Sequence, residues 1–144
     1  MENKQASIHL RSVVDGVETH YDYIGEYRLK DGSHCIAYSD YMGNAITKVG
    51  IEARENAMLL HRVGYITADM LFDPGMETVV NYDALSLKSG FILHTQDYHV
   101  FRENGRLVIY TEYSLQDGSG EPAIRGTQEI TITFLEDKTH EKHI

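Results

Sequence analysis

The chain has almost nothing that stiffens it covalently. Its 144 residues include one cysteine, two prolines and no tryptophan. A single thiol, Cys35, excludes any intrachain disulfide, so stability must come from packing. No motif surrounds Cys35, and it reads as a small buried hydrophobe inside a strand rather than a nucleophile. No apolar run approaches the ~20 residues of a membrane-spanning helix. Met1 to Ser7 are polar and lack the apolar stretch of a secretion signal, which makes a reducing cytoplasm the expected compartment.

Positive charge is also scarce. There are 13 basic against 22 acidic residues, a formal net charge of -9. Such a chain is repelled by phosphate backbones and anionic membranes, and its arginines and lysines form no stripe, so neither nucleic acid nor membrane is an expected partner. Catalytic signatures are missing as well: no Gly-x-Ser-x-Gly, no His-Glu-x-x-His, no P-loop and no Cys-x-x-Cys. No cofactor is implied, and an enzyme is the last-ranked reading.

What the chain does have is ten tyrosines and a succession of alternating segments bounded by turn residues. Tyrosine suits pleated, half-buried surfaces. The clearest segment runs from Val17 to Lys30. Val17, Thr19, Tyr21, Tyr23, Tyr27 and Leu29 share one face, while Glu18, His20, Asp22, Glu26, Arg28 and Lys30 share the other. Period two is the pattern of a strand with one dry and one wet side. Gly25 interrupts it where a closing barrel would bend. Further strands are expected at Ser7–Val14, Ser33–Tyr41, Ala45–Arg54, Ala57–Gly64, Ile66–Asp73, Glu77–Tyr82, Phe91–Gln96 with Tyr98–Arg102, Leu107–Leu115 and Ile124–Leu135.

Asp15-Gly16, Asp31-Gly32, Pro74-Gly75 and Asn104-Gly105 are tight-turn pairs. Helical apolar spacing is absent. About ten strands joined by short turns become sequential antiparallel neighbours, and closure removes their edges. The expected fold is therefore an all-β, up-and-down antiparallel barrel. It forms one domain over 1–144, with a core of about 7–135 and a charged, frayed tail at 136–144. The turn between Ala84 and Gly90 is left undefined, and Gln116 to Pro122 reads as a polar loop.

The spacing Met58-x-Leu60-x-Arg62-x-Gly64, Ala68-x-Met70-x-Phe72, Tyr82 and Asn104-Gly105-x-Leu107 resembles the YwiB-like group of uncharacterised bacterial proteins, mostly from Gram-positive bacteria. The likeness runs from about Ile8 to Phe134 and rests on strand order rather than one motif. It implies a calycin-like barrel, akin in architecture to lipocalins and fatty-acid-binding proteins. It implies no established function and no catalytic set. Ala84-Leu85-Ser86-Leu87 departs from the group, which has a Thr-Pro and small-residue turn there.

Arg62 is the most informative single residue. Parity puts it on the apolar face of Met58 and Leu60, where a buried guanidinium needs a carboxylate such as Glu26, Asp22 or Glu112, or an anionic ligand. A structural ion pair, or a rim arginine reaching solvent, is the other reading. Tyr21, Tyr23, Tyr27, Tyr38, Tyr82, Tyr110 and Tyr113 either line a cavity or fill a core. The candidate ligand set is Arg62 with Tyr21, Tyr23, Tyr27, Tyr82 and Tyr113, taking a small amphipathic or acidic molecule.

His34, His61, His94 and His99 are read as scattered surface residues. His140 and His143, three apart, make a weak metal pair, and no metal site is expected. His20, Asp22 and Glu18 form a polar outer cluster. Apolar residues on nominally wet faces (Ile24, Ile46, Leu59, Val79, Val108 and Tyr110) support the alternative of a filled barrel acting as an interaction module or homodimer.

Overall fold

A computed structural model describes residues 3–84, 87–117 and 122–135. The tail beyond 135 with its His140–His143 pair, the centre of the turn after Ala84, and most of the loop before Pro122 lie outside them.

Three hairpins are set by local chemistry. Asp15 and Gly16, Asp31 and Gly32, and Asn104 and Gly105 all adopt positive φ angles, between 49° and 84°. This is the mirror-image turn that matches the right-handed twist of paired strands. At Pro74-Gly75 the Asp73 carboxylate accepts a hydrogen bond from the Gly75 amide at 2.9 Å, the usual way an aspartate closes such a turn.

These turns connect β1 (Lys4–Val14), β2 (Val17–Lys30), β3 (Ser33–Met42), β4 (Ala45–Ala53) and β5 (Met58–Gly64). The second half contains β6 (Ile66–Phe72), β7 (Glu77–Ala84), β8 (Leu87–Glu103), β9 (Arg106–Gln116) and β10 (Pro122–Phe134). Each strand pairs with its sequence neighbours, and β1 pairs with β10, closing the barrel. The closing register runs from Ala6 opposite Phe134 to Val14 opposite Gly126. The expected Phe91–Gln96 and Tyr98–Arg102 segments are one strand, β8. A register shift between Thr95 and Asp97 absorbs the extra residue and returns Tyr98 to the interior.

One end is densely packed. Ala6, Ile8, Ile36, Ala53, Met58, Phe72, Leu107 and Ile132 are almost inaccessible there. Tyr98 is buried among them, and its hydroxyl donates to the Arg54 carbonyl at 2.6 Å, fastening the β4–β5 loop. Val100 and Phe134 at the rim of the packed end are only half-buried, as are Leu10, Tyr23, Tyr82, Phe91 and Leu115 at the other end. Barrel closure there is uneven. β2 pairs with β3 only from Glu26 to Lys30, so Val17–Gly25 and Tyr38–Met42 part company.

Gly25 sits where the two strands separate, and its role is close approach rather than a bulge. A Cβ there would stand 2.3 Å from the Ala37 carbonyl oxygen and 2.8 Å from the Ile8 side chain. Gly50, on the neighbouring outer face, has no such neighbours. Gly25→Ala should therefore lower the urea midpoint by the equivalent of about 1–3 kcal/mol, an overpacking cost. Gly50→Ala should leave the midpoint unchanged or raise it. Equal effects from the two substitutions would contradict this assignment.

Candidate functional site

Arg62 is delivered to the interior by strand parity alone. Met58 and Leu60 on β5 are buried, and Arg62 continues their face as a half-buried side chain. Across the sheet it lies in register with Val49 on β4 and Ala68 on β6, both buried. Beyond these, Tyr38 on β3 pairs with Val49 and Tyr82 on β7 pairs with Ala68. A single inward row thus carries Tyr38, Val49, Arg62, Ala68 and Tyr82.

The charge of Arg62 also reaches the far wall. It opposes the rise in pKa that burial imposes on Tyr38 and on Tyr113 of β9. Among the described residues Arg62 has no hydrogen-bond or ion-pair partner. The expected partners all point outward. Asp22 binds His9, Glu26 accepts from the Asn3 amide, and Glu112 is exposed. Asp40 has the inward parity of Tyr38 and interacts with the Tyr23 hydroxyl, whose pKa is held well above its ordinary range by burial first and by Asp40 second.

The predicted tyrosines divide. Tyr23 stacks on Tyr38 with ring centroids 4.3 Å apart, and Tyr21 stacks more loosely on Tyr23. These rings stand beside the parting of β2 from β3. Tyr21 is 47% exposed, a rim residue rather than a lining one. Tyr27 lies at the packed end. Its hydroxyl is hydrogen-bonded to His34 Nδ1 at 2.7 Å, and burial depresses the His34 pKa, which favours the neutral imidazole. Tyr27 is therefore not brought to Arg62. Tyr110 is on the outside, stacked on His99.

Tyr113 lies flat against β10. A Cβ on Gly126 would meet its hydroxyl at 2.7 Å, and its ring meets Phe72 edge-on at 5.5 Å. The Gln128 side-chain amide interacts with the same hydroxyl. Beside it are three polar atoms that the sequence reading did not single out. Thr95 Oγ1, Thr111 Oγ1 and Gln128 Oε1 are fully buried and have no hydrogen-bond partner among the described residues. Thr95 pairs with Tyr113 and Thr111 pairs with Gln128. The three form one patch on the inner wall of β8–β10.

Arg102, in register with Leu107, reaches Tyr27 and the Phe134 ring at the packed end, and the groups that follow are on the outer surface. Asp22, His9, His20, Glu18 and Arg11 form a continuous hydrogen-bonded chain, with contacts between 2.6 and 3.1 Å. His61 pairs with Asp69 and His99 with Asp97. Among the described residues no three candidate ligands converge on a metal position. Cys35 faces outward, half-buried, in a groove of about 440 Å³ whose lining includes Ala37, Gly50, Leu59, Glu26, Arg28, Glu52 and His61. This corrects the expectation of a fully buried thiol.

The architecture defines a class: a ten-stranded, closed, up-and-down antiparallel β-barrel. Residues 8–132 match the family model described as a domain of unknown function, DUF1934. The chain belongs to that family, which agrees with the resemblance to the YwiB-like group. It is similar in structure to the ywiB protein from Bacillus subtilis, known from a crystal structure. The TM-score is 0.80 at 17% identity, covering 93% of this chain and 94% of that one. At that identity the likeness concerns the fold. No curated protein matches the sequence. Among the described residues no helix is long and apolar enough to cross a membrane.

The buried phenols give the site a pH signature. Burial pushes Tyr38 up to about 12, and Tyr98 likewise, against 10.0 for an unperturbed tyrosine. Below pH ~10 both states carry these protons and the pair is neutral in its effect. Between pH ~10 and ~12 the unfolded chain releases them while the native chain cannot. Stability should then fall by about 1.4 kcal/mol per pH unit for each such phenol. Urea midpoints measured across that window, alongside tyrosinate absorbance, would check this. A flat stability profile would contradict the burial of Tyr38 and Tyr98.

Proposed function

We propose that this barrel is a binding module that holds a small anionic molecule away from its packed end, with Arg62 as the charge anchor. The observation that carries this reading is an inward-facing guanidinium without a carboxylate partner among the described residues. Even half-buried, a guanidinium without a partner gives up part of its hydration, and an apolar residue of similar volume would remove that cost. A residue retained against that penalty is a candidate for binding. The half-buried Tyr23 and Tyr82 and the buried Tyr38 supply aromatic walls and hydroxyls around it. The parting of β2 from β3 beside Tyr23 and Tyr38 supplies an approach from solvent.

A second reading draws on the outer groove over β2–β5. Its floor is small and apolar at Ala37 and Gly50, and its rim carries both signs of charge at Glu26, Arg28, Glu52 and His61. A surface with both signs can complement itself about a two-fold axis, so a second copy of the chain is the fitting occupant. Light scattering that finds only monomer at high concentration would remove this reading.

For the first reading, hexanoate is a suitable probe in a two-dimensional NMR titration. It should shift resonances of Arg62, Tyr38 and Tyr113. Arg62→Met should weaken its binding at least ~10-fold while leaving the thermal midpoint unchanged or raised, because the substitution removes an unpaired charge. Unaltered affinity in Arg62→Met, or shifts confined to outward residues, would overturn the proposal.

A further inference from the structure

The three unpartnered polar atoms on the wall facing Arg62 carry the argument one step further, and the step rests on the anion-binding reading above. A buried polar atom without a partner costs about 1–3 kcal/mol, and native proteins have only a few per hundred residues. Here Thr95 Oγ1, Thr111 Oγ1 and Gln128 Oε1 fall on three adjacent strands, on the same inward face. Their residues are 2%, 0% and 8% exposed. Valine has nearly the shape of threonine and would avoid the penalty at both threonine positions. The patch therefore costs stability for nothing unless something hydrogen-bonds to it.

The patch and Arg62 both have inward parity. Tyr113 links them: its hydroxyl feels the Arg62 charge and also meets the Gln128 amide. Gly126 leaves room for the ring to lie against the wall rather than across the site. Ala68, opposite Arg62 on β6, contributes only a methyl group to the inward row.

The atom types limit what can sit there. Arg62 offers only donors and takes a carboxylate or a similar oxyanion. Gln128 Oε1 offers only an acceptor, so its partner must bring a proton. The two threonine hydroxyls serve as donor or acceptor. An alkyl chain laid against this wall would bury all three without compensation.

We infer that the ligand is a small acid with a second polar group carrying an N–H or O–H, such as an amide or hydroxyl, and not a fatty acid. The carboxylate meets Arg62. The second group donates to Gln128 Oε1 and exchanges hydrogen bonds with Thr95 and Thr111. Specificity of this kind is sharp, because an analogue lacking the polar group leaves buried partners unmade.

Two probes separate this inference from the broader reading. Hexanoate and N-acetylglycine both carry one carboxylate and have equal numbers of non-hydrogen atoms, but only N-acetylglycine has an amide N–H. NMR titration of the full chain should give at least ~10-fold tighter binding of N-acetylglycine. Gln128→Leu should abolish that preference, and Thr111→Val, nearly isosteric, should reduce it if the Leu variant does not fold. Arg62→Met should weaken both acids. Hexanoate binding as tightly as N-acetylglycine, with both lost in Arg62→Met, would overturn this inference and leave the anion reading standing. A preference that persists in both Gln128→Leu and Thr111→Val would also overturn it, since ordered water would then satisfy the patch. Failure of both acids to bind the unmodified chain would overturn the two readings together.

Discussion

The pairing of the first strand with the last is the constraint on which everything else depends. Nine residue pairs, from Ala6–Phe134 to Val14–Gly126, join segments more than a hundred residues apart. Without that seam the ten strands would be an open sheet with two faces in water and two bare edges. With it, the strands gain an interior face, although Val17–Asp22 of β2 stays exposed on both sides. Parity then decides which side chains turn away from water, and Arg62, half-buried beyond Met58 and Leu60, must be accommodated among apolar neighbours.

The interior is graded rather than uniform. At the packed end, large aliphatic and aromatic side chains fill the space, and two phenols are satisfied: Tyr27 by His34, Tyr98 by the Arg54 carbonyl. At the other end the β2–β3 seam is half undone and Tyr23 and Tyr82 are half-buried, while the unpartnered Thr111 lies opposite Tyr98 of the packed end. On the reading proposed above, recognition would fall to the half that holds Arg62.

The strands and turns were legible because their causes are local. Period-two alternation needs only adjacent residues, and Asp-Gly and Asn-Gly prescribe their own backbone angles. The inward direction of Arg62 was legible for the same reason, since it shares parity with Met58 and Leu60. The opposite wall was not. Thr95, Thr111 and Gln128 are ordinary polar residues in ordinary strands, and their convergence depends on the register across β8, β9 and β10 and on the shift after Thr95. Parity also could not separate Tyr23 from Tyr27. They share a face four residues apart, yet the barrel sends one to the open end and the other to the packed end. The expected carboxylate partners failed for a related reason: Glu26, Asp22 and Glu112 all have outward parity, and Asp40, of inward parity, is engaged with Tyr23.

The central claim is that Arg62 is kept inside the barrel for an anion. Native mass spectrometry of the intact chain purified from its natural host tests it most directly, with the Arg62→Met variant prepared identically. The account predicts a small acidic species bound to the unmodified chain and absent from the variant. The bare polypeptide mass for both proteins, or the same bound species on both, would contradict it.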